Sequence, residues 1–262
     1  MNCFGKSKKK KHTITKDGTF YDDYKYAIRP LDLVMFKGGD FVSDIIRYLE
    51  KKKGSKISSS GYKTVSDAFS HVGIVVNRDI LDDPRLEHGK LYIWESTMSG
   101  KLTDGVYNME NESYLGVQLR DLDDVIRAYD SDENTQIAFC PIKEEFLDIW
   151  SGKECILKQR FTSLFIKYNG IRYDANFYSL ASSMFRCLRP MRDNVEDITG
   201  TKMWLFCSEL VAMIYKELGF FSDNVEPKNV VPMDFLGYDI DSSIYGGIPV
   251  IVKAPFYVKT TR

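Results

Sequence analysis

The stretch SHVGIVVN, residues 70–77, decides the fold class, because it is a β-branched run of the kind that favours a strand. A second such run, KLYIWEST at residues 90–97, follows after the loop DILDDPRLEHG. Two strands separated by one loop pair most economically as antiparallel neighbours. The sequence therefore predicts an antiparallel pair here.

Four further strands are predicted along the chain. One runs from Leu31 to Phe36, between a turn at Arg29–Pro30 and a break at Gly38–Gly39. The other three are the apolar stretches GVQLRDL (116–122), TQIAFCPI (135–142) and GIPVIVKAPF (247–256).

Helical spacing of apolar residues marks four other regions. Phe41, Ile45 and Leu49 form one apolar stripe at intervals of four. From Lys143 onward the period is helical, with one or two helices at 143–170, another at 173–188 and a last one at 205–218. Since strands come first and helices follow, we expect an α+β domain.

Composition excludes several classes of protein. The 262 residues suffice for one large domain or two small ones, and 44% apolar with 28% charged residues is ordinary for a globular protein. A formal charge of −1 argues against a general nucleic-acid-binding surface. No window reaches the ~18 consecutive apolar residues of a membrane-spanning helix. Charges occupy the place where a signal peptide has its apolar segment, so we expect an intracellular, cytoplasmic protein.

The N-terminal residues 1–20 are polar and basic and have two interpretations. They form a solvated flexible tail, or Cys3 is acylated beside Lys6, Lys8, Lys9, Lys10 and Lys11 and makes a two-signal peripheral membrane anchor. Residues 21–262 are expected to form a single domain.

Five scattered cysteines and three histidines make a disulfide framework or a zinc cluster improbable, and no metal or cofactor is expected. A thiol hydrolase needs a thiolate, a base and a group that orients the base. Cys207 lies at the start of a predicted helix, where unpaired N–H groups and the positive end of the helix dipole favour a thiolate. The remaining candidates, Cys140, Cys155 and Cys187, are expected to be buried apolar residues.

His71 opens a predicted strand, where it is either a structural histidine or a base. Glu95 lies in the neighbouring strand. If both side chains share one face of the antiparallel pair, Glu95 can fix the tautomer of His71.

The segments SHVGIVV, YIWEST, NGIRYDANF (169–177) and FCSELVAMIYKELG (206–219) together resemble the circularly permuted branch of the NlpC/P60 papain-like superfamily. Bacterial YiiX- and YaeF-type proteins and poxvirus proteins belong to that branch. The trailing VVPMDF (230–235) also resembles it, and the likeness runs from about residue 28 to 240. Compared with the bacterial members, 98–170 is partly an insertion with its own helices.

This resemblance implies a permuted papain-like fold, with an antiparallel sheet or partial barrel packed against helices. It also implies Cys207 as nucleophile, His71 as general base and Glu95 as the orienting residue. Tyr173 and Ser208 are weaker candidates for substrate binding or the oxyanion site, and Glu209 is expected to support the helix N-terminus.

The function expected is that of a thiol hydrolase or acyltransferase that cleaves an amide, isopeptide or acyl ester bond of a peptide or lipid substrate. The alternative is a catalytically silent binding or virion-associated protein with the same fold. A source in a virus-infected eukaryotic cell fits the resemblance.

Overall fold

The computed structural model of the chain describes residues 19–37, 69–97, 116–130, 135–173, 204–236 and 251–259. Within these ranges nine strands form one sheet: β1 (Thr19–Phe20), β2 (Leu33–Lys37), β3 (His71–Val76), β4 (Tyr92–Thr97), β5 (Gly116–Asp121), β6 (Gln136–Cys140), β7 (Arg172–Tyr173), β8 (Trp204–Leu205) and β9 (Phe256–Lys259).

The sheet has the strand order β1-β9-β6-β2-β3-β4-β5-β7-β8. Its six central strands, from β9 to β5, are all antiparallel, whereas the two-residue strands β1 and β8 run parallel to their neighbours. Ile74 pairs with Trp94 across β3 and β4, which confirms the predicted antiparallel pair. The α+β class is therefore confirmed.

Five α-helices lie in the described ranges: α1 (Tyr21–Tyr24), α2 (Leu122–Asp130), α3 (Glu144–Leu147), α4 (Glu154–Tyr168) and α5 (Cys207–Glu217). The start of α5 is fixed by Phe206, whose backbone is extended (φ −78°, ψ 161°). Gly219, at φ +79°, adopts the left-handed conformation that ends many helices. Both ends agree with the sequence signals.

The two faces of the sheet carry separate apolar clusters. Val72, Ile74 and Trp94 pack under α4 and α5 on one face. The alternate residues Val75 and Ile93 pack under α2 on the other face. Because successive side chains of a strand point to opposite faces, the strands are buried on both sides and read as continuous apolar runs.

Three elements differ from the sequence prediction. β2 begins at Leu33 instead of Leu31, because Leu31 has φ +74° and its carbonyl accepts a hydrogen bond from the Tyr215 hydroxyl at 2.7 Å. The last strand is Phe256–Lys259, beyond most of the predicted 247–256. Helix α2 has no counterpart in the prediction, which extends the preceding strand to Leu122 and assigns no element to residues 123–134.

The segment 98–170 is predicted to be partly an insertion relative to the bacterial proteins, with its own helices. Its described residues include α2, α3 and α4, and they also contain the predicted strands β5 and β6, two of the six central strands. That the segment is an insertion stays a prediction. The predicted helix at 41–49, nearly all of the helix at 173–188 and the tail up to residue 18 lie outside the described residues.

Candidate active site

His71 is held at the first position of β3, directly opposite Phe36 of β2. The Phe36 ring lies 5.6 Å from the imidazole between centroids. On the α2 side the Tyr129 ring is nearly parallel to the imidazole, at 6.5 Å and 8°. Only 13% of the His71 side chain is exposed. The ring is thus confined between aromatic neighbours.

Glu95 lies in β4 and is fully buried. Its Oε2 atom is 2.5 Å from Nε2 of His71. Since each imidazole has two nitrogens, this contact leaves Nδ1 for a second partner. The structure thus brings together two of the three residues that were predicted as catalytic.

Gly73 allows this contact to form. A Cβ atom at that position would lie 2.6 Å from two side-chain carbons of Ile93 and 3.1 Å from Cβ of Glu95. Two buried side chains of β4 therefore occupy the space beside β3 that a side chain at 73 would take. The glycine of the SHVG segment is explained by this close approach.

Cys207 is the first residue of α5 and is buried, with 5% of its surface exposed. Its side chain interacts with the His71 imidazole. On the chain before it, the carbonyl of Leu205 accepts a hydrogen bond from Ser96 Oγ at 2.6 Å. Ser96 follows Glu95 in β4, so one strand holds both the carboxylate that contacts His71 and the segment that leads into Cys207.

Arg120 is a member of this site that the sequence analysis missed. It is fully buried in β5, and its Nε donates to Glu95 Oε1 at 2.7 Å. Nη2 donates to the same oxygen. The residue pairs in register with Ile93, which places it on the Glu95 face. The side chains Cys207, His71, Glu95 and Arg120 therefore form one continuous row.

The pKa shifts reflect this row of charges. Burial lowers the pKa of His71, but the charges of Cys207 and Glu95 and the hydrogen bonds with them outweigh burial and raise it to about 10. Burial raises the pKa of Glu95, but the neighbouring Arg120 and His71 outweigh it and lower the pKa to about 2. Imidazolium and carboxylate are both the favoured forms at neutral pH.

The other two predicted site residues are Ser208, which follows Cys207 in α5, and Tyr173, which lies in β7. Ser208 is buried, and its hydroxyl donates to the carbonyl of Val230 at 2.7 Å. The backbone of Tyr173 pairs with Leu205 between β7 and β8, and the placement of its side chain lies outside the description. Glu209, in the first turn of α5, accepts a hydrogen bond from the Phe206 N–H at 3.5 Å.

The segment VVPMDF (230–235) contacts both the start of α5, which carries Cys207, and the residues before His71 in β3. Val230 accepts the Ser208 hydroxyl, and Met233 Sδ accepts the N–H of Phe69, two residues before His71. Asp234 Oδ2 accepts the N–H of Val231 and shapes the turn. The segment thus contacts the start of α5 and the entry to β3 together.

The described cysteines differ in their surroundings. Cys140 is fully buried, and burial raises its pKa, as expected for an inert apolar thiol. Cys155 was predicted to be buried but is exposed, because the second position of α4 faces solvent. Of the described histidines, His88 is exposed in the β3–β4 loop, and His71 lies beside Cys207.

Among the described residues, no group of three or more histidine, cysteine or acidic side chains is arranged to hold a metal ion. None of the helices in those ranges combines the length and apolar character that crossing a membrane requires. A cavity of about 350 Å³ lies apart from Cys207, between the β3–β4 loop and α4.

No family model matches the chain, and no curated protein matches it. One solved structure similar to it is that of the metalloprotein YiiX from Escherichia coli O157:H7. The two chains share 14% identity over 88% of each, with a TM-score of 0.39. A likeness this distant assigns no function to the residues of this chain.

Proposed function

We propose that the chain is a thiol hydrolase or acyltransferase with Cys207 as nucleophile, His71 as general base and Glu95 as the residue that orients it. One observation carries this proposal: the His71 ring contacts Glu95 through Nε2 and also interacts with Cys207. A nucleophile, a base and an orienting carboxylate in contact are the minimum that thiol catalysis requires.

The chemistry follows from these contacts. His71 already holds the proton of the Cys207 thiol on Nδ1 in the resting pair, and the Cys207 thiolate attacks the carbonyl carbon of an amide or ester. Backbone N–H groups in the first turn of α5 stabilise the oxyanion of the tetrahedral intermediate. The imidazolium then protonates the leaving amine or alcohol, and a thioester remains on Cys207.

The second half reverses these roles. His71 removes a proton from water, or from an acceptor amine or alcohol, which then attacks the thioester carbonyl. The Cys207 sulfur leaves as a thiolate, and the resting pair of thiolate and imidazolium is restored. Glu95 keeps its negative charge throughout and stabilises the imidazolium through Oε2.

The fold proposed is the circularly permuted papain-like fold. Its support is the chain order, in which His71 and Glu95 on adjacent strands precede Cys207 at the start of a helix. In papain itself the cysteine comes first, so the same constellation here requires the permuted order.

The substrate proposed is an acyl group carried by a peptide amide, an isopeptide or a lipid ester. Only 5% of Cys207 is exposed, so small acyl reagents should reach it more readily than bulky ones.

The peripheral membrane contact through Cys3 and its neighbouring lysines stays a prediction. Absence of label on Cys3 after feeding host cells a palmitate analogue would remove it.

The test is capture of the acyl-enzyme. The protein is mixed with p-nitrophenyl acetate at pH 7, quenched in acid and mapped by mass spectrometry, with Cys207→Ala and Cys155→Ala as matched variants. We expect one acetyl group on Cys207, which disappears with time as the thioester is hydrolysed. The Cys207→Ala variant should lack this acetyl group, and the Cys155→Ala variant should retain it. If Cys207 is acetylated no more than Cys155, the proposed enzymatic function is wrong and a binding protein is favoured.

A further inference from the structure

Arg120 is an unusual residue for the middle of a sheet, because it is fully buried. Buried cations are found almost only where a counter-charge is in contact. Its Nε lies 2.7 Å from Glu95 Oε1, and Nη2 reaches the same atom. Its third nitrogen, Nη1, has no hydrogen-bond partner among the described residues. Its hydrogen bonds are thus directed at one oxygen of Glu95.

The two oxygens of Glu95 have separate partners. Oε1 accepts from Arg120, and Oε2 faces Nε2 of His71. A carboxylate is planar, so fixing one oxygen with a rigid guanidinium also fixes the direction of the other. The orientation of the Glu95 carboxylate is thereby determined from the side opposite His71.

We propose that Arg120 is a positioning residue of the thiol site, which holds Glu95 Oε1 so that Oε2 stays on His71 and the imidazole stays aimed at Cys207. This inference rests on the proposed function of Cys207. It adds a fourth side chain, whose hydrogen bonds go to Glu95 and which acts through that carboxylate.

The physical consequence concerns charge. Among the described residues, the titratable groups that face the His71 ring are Cys207 from α5, Glu95 from β4 and Tyr129 from α2. Without Arg120 the buried carboxylate has lost its cation, so it takes up a proton more easily. A protonated Glu95 no longer stabilises the imidazolium, and the Cys207 thiolate in turn loses its counter-ion.

The experiment measures the rate constant of Cys207 alkylation by iodoacetamide from pH 4 to 10, in the full-length chain. In Arg120→Met, which keeps length but removes charge, we expect the midpoint of the profile to rise by about 1–3 pH units, the range typical for loss of an adjacent opposite charge. In Arg120→Lys, which keeps the charge, we expect a profile close to that of the wild type. A purely packing role predicts no such rescue.

A double variant tests whether Arg120 acts through Glu95 and guards against misfolding of Arg120→Met. Glu95→Gln/Arg120→Met removes both buried charges, so neither is left unpaired. We expect its profile to match that of Glu95→Gln alone. An Arg120 effect of the same size in both backgrounds would overturn the inference.

Two outcomes distinguish the reactivity of Cys207 from the role of Arg120. If Cys207 of the wild type alkylates no faster than Cys155 at any pH, the proposed function is wrong. If wild-type Cys207 is reactive and the Arg120→Met profile coincides with it, the function stands and the role of Arg120 is wrong.

Discussion

The Oε2 atom of Glu95 lies 2.5 Å from Nε2 of His71, and the same ring interacts with Cys207. This relationship fixes the tautomer of a neutral His71, because Nε2–H must point at the carboxylate. In the proposed mechanism, Nδ1 is then the nitrogen that takes the thiol proton. The two strands that hold His71 and Glu95 thus determine which imidazole nitrogen faces the carboxylate.

Glu95→Gln should destabilise the protein strongly. The amide accepts a hydrogen bond but leaves the buried Arg120 without a counter-charge. Breaking a buried ion pair in this way costs about 3–5 kcal/mol. Urea denaturation measures the change in the free energy of unfolding. Glu95→Gln/Arg120→Met is the matched control and should recover most of the loss. Equal stability of Glu95→Gln and wild type contradicts the ion pair.

The stability contributed by His71 should depend on pH in a defined direction. Its pKa is raised in the folded state from 6.5 to about 10, so its contribution is complete below pH 6.5 and is lost as pH rises toward 10. The pKa of Glu95 is lowered from 4.5 to about 2, so its contribution is complete above pH 4.5 and is lost as pH falls toward 2.

Both contributions are complete between pH 4.5 and 6.5. The difference in free energy of unfolding between wild type and His71→Gln should therefore be largest in that window and shrink toward pH 10. Thermal or urea unfolding of both proteins at a series of pH values measures it. If the difference in free energy of unfolding grows from pH 6.5 to 10, the pKa of His71 is not raised in the folded protein.

Gly73→Ala should impair both stability and the site. The new Cβ lies 2.6 Å from Ile93 side-chain carbons and 3.1 Å from Glu95 Cβ, so both buried side chains must move. Overpacking of this kind costs about 1–3 kcal/mol. Because Glu95 shifts away from His71, alkylation of Cys207 should also slow. Unfolding curves and iodoacetamide kinetics measure the two effects.

Gly89→Ala is the control for that variant. Gly89 has φ +74° with open space around its Cβ position, so alanine there costs about 1–2 kcal/mol through the backbone alone. Alkylation of Cys207 should stay at the wild-type rate. If Gly73→Ala behaves like Gly89→Ala in both measurements, the close approach at Gly73 has no role in the site.

Ser208→Ala should affect stability more than reaction. The hydroxyl donates to the carbonyl of Val230, and loss of such a bond costs about 1 kcal/mol. Ser163→Ala, at an exposed position of α4, is the control and should change little. We expect acyl turnover of Ser208→Ala within a few-fold of wild type. A hundredfold loss with unchanged stability would show that the hydroxyl takes part in the reaction.

The family resemblance, together with the predicted strands and helix start, singled out His71, Glu95 and Cys207, and the structure places His71 beside both other residues. The sequence did not predict Arg120 as a site residue. In its strand, apolar residues alternate with polar ones, a pattern typical of a strand with one face toward solvent, and Arg120 lies on the polar face. Helix α2 covers that face, and α2 was itself overlooked. Which face a helix covers is decided by long-range packing, which strand periodicity does not encode.

Strand and helix periodicity also failed to predict the exposure of Cys155, which is exposed although it was expected to be buried. The sequence predicts its helix. Phe161 and Phe165, both buried against Trp94, determine which face of that helix packs on the sheet. The apolar residues of α4 are spread widely enough that periodicity did not settle which side is inside. Cys155 therefore faces solvent, whereas Cys207 beside His71 is enclosed.

The central claim is that His71 makes Cys207 a reactive thiol, and its most direct test compares two cysteines in one protein. Wild type and His71→Ala are treated with limiting iodoacetamide at pH 6, and labelling of Cys207 and Cys155 is read from one peptide map. The account predicts that buried Cys207 labels faster than exposed Cys155 in the wild type, and that His71→Ala abolishes this preference. Faster labelling of Cys155 in the wild type, or an unchanged preference in His71→Ala, contradicts it.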